Sequence, residues 1–197
     1  MGKAEETRRF IIEKTAPILN KKGIAGTSIS DIIKATGLQK GGIYGNFKKG
    51  KIEIVHEVFD YISTKLYAGV SESVMQHQKA PDRLFALLSF YSKYVYNPTV
   101  EGGCPIINFS TEVDDTDPVL QEKVANFAKK VERAVARLVQ AGIDSGEFRK
   151  DVNPEEFATR FMIMIEGAIM LSKLQRTNKP MNLSVKTLKN EVKSLMI

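Results

Sequence analysis

Apolar residues recur at helical spacing along almost the whole chain, and no stretch alternates convincingly at period two, which predicts an all-α protein. Residues 5–23, "EETRRFIIEKTAPILNKKG", place Ile11, Ile12, Thr15, Ile18 and Leu19 on one side and end at Gly23, a natural C-cap. Pro17 inside that run removes one backbone hydrogen bond and predicts a kink. Ser28 followed by Asp31 is a capping box in its acidic form, starting a helix near Ile29 with Ile32, Ile33 and Ala35 apolar and Gly37 as its breaker. A second short helix, Lys40 through Phe47, turns Ile43 and Phe47 toward the first. A long helix follows over 51–78, with Ile54, Val55, Val58, Phe59, Ile62 and Leu66 apolar.

Four prolines then mark helix starts: Pro81, Pro105, Pro118 behind the N-cap Asp117, and Pro154 behind Asn153. The helix after Pro118 repeats apolar residues at 120, 124, 127, 131, 134 and 138, a packing seam. The helix after Pro154 is apolar almost all round, which calls for burial on several sides. A last amphipathic piece occupies 183–197.

Two short helices joined at Gly37, with Leu38 as the buried turn residue, make a helix-turn-helix whose second helix enters the DNA major groove. Gly41 and Gly42 fall on the first turn of that second helix, where a bulky side chain would hold the backbone away from the groove. Lys40, Lys48, Lys49 and Lys51 flank the site as phosphate partners. A helical corner with a flexible glycine pair is the plain structural alternative. Charge sharpens the choice. Residues 1–52 hold 11 Lys+Arg against 4 Asp+Glu, whereas residues 53–197 hold 18 against 19, so all the excess of the +6 chain lies in the segment that carries the motif.

Composition narrows the class. With 43% hydrophobic and 26% charged residues, disorder is not the default reading. One cysteine fits a reducing cytoplasm, and no apolar stretch follows the first basic residues, so no signal peptide is expected. The most apolar run, residues 161–171, is too short to span a bilayer and carries Glu166, so no membrane partner is expected. His56 and His77 lack partners at metal-ligand spacing, and "EVDDTD" (112–117) lacks the glycine and terminal Glu of a calcium loop, so no metal is predicted. No nucleophile set, phosphate loop or cofactor fingerprint appears, which predicts no enzyme and no cofactor.

The stretch "GIAGTSISDIIKATGLQKGGIYGNFKKGKIEI" resembles the DNA-binding domain of TetR-type transcriptional repressors. The matching residues are Ser28, Asp31, Ile32, Gly37, Leu38, Gly42, Tyr44, Phe47 and Lys51. The resemblance implies a helix-turn-helix DNA-binding domain over 1–60 and a helical ligand-binding and dimerisation domain over 61–197. It implies phosphate contacts from Ser28, Tyr44 and Lys51, and places Ser30, Gln39, Lys40, Gly41, Gly42 and Asn46 at or near base edges, with Lys48 alongside. The sequence departs from the family pattern in three places. Gln39 stands where a Ser/Thr N-cap is usual, Gly45 lacks a side chain, and "KKGK" is one residue longer than the commonest spacing.

In the second domain, Phe85, Leu88, Tyr91, Tyr94, Phe109, Phe127, Phe161, Met162, Met164 and Ile165 read either as core or as the lining of an apolar ligand cavity, with Glu112 and Glu166 as polar contacts. Cys104, just before a helix start, reads either as a small buried residue or as a redox or electrophile sensor. The expected protein is a cytoplasmic homodimer that represses transcription from a near-palindromic operator in double-stranded DNA until a small apolar or amphipathic effector binds. The helices at about 119–142 and 155–177 are the expected dimer contacts. The alternatives are an architectural DNA binder without an effector, and an all-α enzyme or ligand-binding protein with an incidental basic N-terminus.

Overall fold

The computed structural model describes residues 2–197. Among them the chain forms nine helices: α1 (Lys3–Lys22), α2 (Ile29–Thr36), α3 (Lys40–Asn46), α4 (Lys51–Met75), α5 (Ala80–Tyr94), α6 (Pro105–Val113), α7 (Pro118–Asp144), α8 (Pro154–Gln175) and α9 (Lys179–Leu195). The start signals act as their chemistry requires. The Ser28 hydroxyl accepts the Asp31 amide, and the Asp31 carboxylate accepts the Ser28 amide in return. Asp117 accepts the Leu120 amide at 3.0 Å, and Asn153 accepts the Glu156 amide at 3.1 Å. Gly37 closes α2 in the left-handed conformation, φ 69°, that an L side chain resists. The helix α1 continues through Pro17 to Lys22.

The chain divides into two compact units, Met1–Leu66 with Thr99–Ala125 and Tyr67–Pro98 with Asn126–Ile197. The first therefore takes in α6 and the start of α7 besides the N-terminal helices. Its core joins Ile11, Ala16 and Leu19 of α1 to Ile32, Ile43, Phe47 and the buried face of α4. Phe109 of α6 closes it, edge-on to Phe59 with ring centroids 5.3 Å apart. In the second unit α9 packs on α5 and α8, burying Met181, Val185, Leu188 and Val192.

One expectation is corrected. The buried seam of α7 runs Leu120, Val124, Phe127, Val131, Val135 and Val139, whereas Ala134 and Leu138 are only half-buried. A straight helix repeats every 3.6 residues, so a pattern of alternating fours and threes drifts off the buried face within a few turns. The seam is moreover consumed inside the protomer. The helix α8 buries Phe157, Ala158, Phe161, Ile165, Ala168 and Ile169 and leaves Ile163, Met170, Leu171 and Leu174 exposed, Leu174 to 77%.

Candidate nucleic-acid interface

The interface is built on α2 and α3. Ile32, Ile43 and Phe47 are fully buried and fix the two helices to the core, which turns the opposite faces outward. Ser28, Ser30, Gln39, Lys40, Gly41, Tyr44 and Lys48 are exposed, and Gly42, Asn46 and Lys51 are half-buried. All ten expected contact residues are thus exposed or half-buried on one helix-turn-helix, in the turn after it or, for Lys51, at the start of α4.

Three of the seven residues of α3 are glycine, and nothing inside the protein demands them. A Cβ at Gly41 or Gly45 would meet nothing within 4 Å, and one at Gly42 would make an ordinary 3.6 Å contact with Leu38. Each glycine costs about 1 kcal/mol of helix stability relative to alanine. That cost has no internal return among the described residues. Gly50 differs: its φ of 65° and a Cβ position 3.1 Å from the Tyr44 ring make glycine a requirement of the turn.

Several polar groups are already engaged. The Ser28 hydroxyl donates to Asp31 at 2.6 Å, so a phosphate at this position takes that donor from the cap. These bonds from Ser28, followed by Lys22 at 3.0 Å, hold the Asp31 carboxyl well below the usual carboxylate range. The Asn46 amide donates back to the Gly42 carbonyl at 2.8 Å. Lys40 lies over the Tyr44 ring, with its ammonium 5.8 Å from the centroid. The Gln39 side chain makes no cap hydrogen bond to α3.

Arg8 of α1 ties the end of α3 to α4. Its guanidinium donates to the Asn46 carbonyl at the end of α3 and to Glu53 (2.5 Å) and Glu57 of α4, while stacking 4.2 Å from the Phe47 ring centroid. The Glu57 hydrogen bond, reinforced by Glu53, raises the Arg8 pKa. Arg8, and the Lys49 amide after it, hold Glu53 below its ordinary value. The composition of α1 conceals this role. Its only sequence signal is the Glu53–Glu57 pair, four residues apart on one face of α4. His56 of α4 meets Asp117 at 2.7 Å; burial pushes the Asp117 carboxyl up, but the bonds from His56 and the Leu120 amide outweigh it and lower the pKa.

The expected effector residues fall into both units. In the second, Tyr91 packs on Phe161 (centroids 5.8 Å) and on Tyr94 (6.0 Å), with Leu88 and Ile165 also buried, Phe127 buried to 8% exposure, and Phe85, Met162, Met164 and Glu166 half-buried. Phe109 and Glu112 belong to the first unit. Glu112 is engaged with the backbone there: its two carboxylate oxygens accept the amides of Ile24 (2.8 Å) and Ala25 (2.9 Å). Cys104 is buried to 1% at the N-cap position of α6, and its side chain makes no cap hydrogen bond. No group of three potential ligands that could hold a metal occurs among the described residues.

Residues 80–188 match the family model described as "Tetracyclin repressor-like, C-terminal domain", and residues 11–58 match "Bacterial regulatory proteins, tetR family". The chain belongs to the TetR family of bacterial regulatory proteins. It is similar to a TetR transcriptional regulator from Chloroflexus aurantiacus J-10-FL, with 35% identity and a TM-score of 0.94 over 100% of this chain and 98% of the other. A TetR-family regulator from Cytophaga hutchinsonii matches at 30% identity and a TM-score of 0.92, again over 100% and 98%. The transcriptional repressor DhaR of Mycobacterium sp. strain GP1 is 23% identical over 89% of this chain and 86% of its own. This TetR-family member is therefore a transcriptional regulator of the DNA-binding repressor class, with an N-terminal helix-turn-helix and a C-terminal helical domain. Among the described residues, no helix is long and apolar enough to cross a membrane.

Proposed function

We propose that this regulator is a cytoplasmic repressor that binds a near-palindromic operator as a homodimer and is released by a small apolar or amphipathic effector. The glycine-rich face of α3 carries the reading. Three glycines without internal purpose, beside Lys40, Lys48 and Lys51, suit a helix that meets base edges closely while lysines neutralise phosphates. Ser28, Tyr44 and Lys51 are the proposed phosphate contacts, and Ser30, Gln39, Lys40, Gly41, Gly42 and Asn46 line the base edges.

Dimerisation uses α8. Ile163, Met170 and Leu174 recur at helical spacing on its uncovered face, and a Cβ at Gly167 between them would meet nothing, leaving room for a second helix to come close. Removing each such side chain from water contributes about 1.5–3 kcal/mol, which offsets the loss of free motion on association. The effector enters among Tyr91, Tyr94 and Phe161. The helix α4, which supplies residues to both units, carries the change to the DNA-binding head. An effector shifts that equilibrium only if it favours the arrangement that DNA does not.

Sedimentation of the double variant Ile163→Glu, Leu174→Glu tests the assembly. The expected result is a dimeric wild type and a folded, monomeric variant that no longer protects a twofold site. A monomeric wild type at micromolar concentration, or a dimer unaffected by the two charges, refutes it.

A further inference from the structure

We infer that Glu112 and Asn108 of α6 are positioning residues for operator recognition: together they hold the end of α1 and the turn that carries Ser28. This inference rests on operator binding by the helix-turn-helix. Three independent features of the first unit point to it. The Glu112 carboxylate accepts two successive amides, Ile24 and Ala25, in the turn between α1 and α2. Asn20, on the last turns of α1 and only 2% exposed, donates through its amide to the carbonyls of Glu101 (3.1 Å) and Gly103 (2.9 Å). Asn108 returns the contact, donating to the Asn20 side-chain oxygen (2.8 Å), the Asn20 carbonyl (2.9 Å) and the Gly102 carbonyl (3.0 Å).

The backbone is shaped to admit this grip. Gly23 has φ 77°, and a Cβ there would overlap the Glu112 carboxylate; Gly102 has φ 120°, and its Cβ would overlap the Asn20 backbone. Two glycines on opposite sides of the contact thus keep the two segments within hydrogen-bonding reach. From Ala25 the hold passes to the reading head through a short closed link. The Thr27 hydroxyl donates to the Gly23 carbonyl at 2.7 Å, Ser28 caps α2, and Asp31 pairs with Lys22 at 3.0 Å. The carboxylate of Glu112 therefore fixes where α2 begins, and with it the position of Ser28 against a phosphate. Sequence reading misses the arrangement because Asn20 and Asn108 are 88 residues apart and each looks like an ordinary solvated amide.

The test uses the full chain and a duplex that the wild type enriches from random-sequence DNA. Glu112→Gln keeps the shape but leaves one amide without an acceptor. Operator affinity is expected to fall about tenfold, the scale of one broken charged hydrogen bond. Affinity for random-sequence duplex and far-ultraviolet circular dichroism are expected to stay close to wild type, while the lost bond lowers the thermal midpoint by about 3–5 °C. Equal operator affinity for the variant overturns the inference, and so does a parallel loss on both duplexes. Amide exchange of the wild type provides a second readout that needs no variant. If the grip favours the DNA-bound arrangement, operator must in turn slow exchange at Ile24 and Ala25. Unchanged exchange at both amides on operator binding overturns it as well. A wild type that enriches no duplex defeats operator binding itself, whereas a normal operator with an indifferent Glu112→Gln defeats only the positioning role.

Discussion

Gly42→Leu should make the protein more stable and less functional at once. The mutated position lies on the first turn of α3, where φ is ordinary and the first added carbon would rest 3.6 Å from Leu38. The substitution therefore introduces no internal clash. It replaces the poorest common helix former with a good one, a gain of about 0.8 kcal/mol in helix propensity. For a chain of this size that raises the thermal midpoint by about 2–3 °C. On operator DNA the sign reverses. A leucine on the outer side of α3 stands the backbone off the groove, and breaking each direct bond to a base edge removes about 1–3 kcal/mol of discrimination. Breaking two of them weakens specific binding by at least about 30-fold, while random-sequence affinity, set by lysines on phosphates, changes by less than about threefold. Fluorescence anisotropy at fixed salt with the two duplexes, paired with a thermal melt, measures both effects. Operator affinity equal to wild type refutes the docking geometry, and a fall in thermal midpoint refutes the claim that glycine at 42 has no internal purpose.

Lys51→Ala should weaken binding to all sequences alike and reduce the slope of log affinity against log salt by about one, as titrations at several salt concentrations will show. Arg8→Lys keeps the charge but not the fork that joins the Asn46 carbonyl to Glu53 and Glu57. It is expected to cost about 1–2 kcal/mol in denaturant unfolding and to weaken specific binding more than random-sequence binding; no change in either sinks the role of Arg8. Acid should destabilise the first unit through Asp31, Glu53 and Asp117, whose folded-state pKa values are all lowered. Their contribution is complete above the unfolded carboxylate values near 4 and disappears as pH falls through the lower folded values. Melts from pH 7 down to pH 3 should show this decline, and Asp117→Asn should flatten part of the slope.

Local chemistry is the most legible part of the sequence. The Ser28–Asp31 box, the Asp117 and Asn153 caps and the left-handed Gly37 each act within a few residues, so the short-range pattern suffices to place them. The exposed face of α3 is legible for the same reason. Polar bonds between segments far apart in the chain are not: Arg8 with Glu53 and Glu57, Asn20 with Asn108, and His56 with Asp117. No periodicity marks such pairs, because each partner reads as a solvated side chain until the fold brings it against the other. Glu112 shows the consequence, since its pattern suggests an effector cavity whereas its carboxylate caps the turn after α1. The apolar excess of α8 is legible as surplus surface, but which of its residues stay uncovered emerges only from the fold, which exposes Ile163, Met170 and Leu174.

Sequence-specific recognition of DNA by α3 is the central claim, and selection from a random-sequence duplex pool with the full-length protein, followed by footprinting of the enriched fragment, tests it most directly. The account predicts one enriched near-palindrome whose half-sites repeat about every 10 base pairs or a multiple of that, protected on successive major-groove turns and abolished by Gly42→Leu. Retention of all duplexes alike with a steep salt slope, or protection without a dyad, contradicts it.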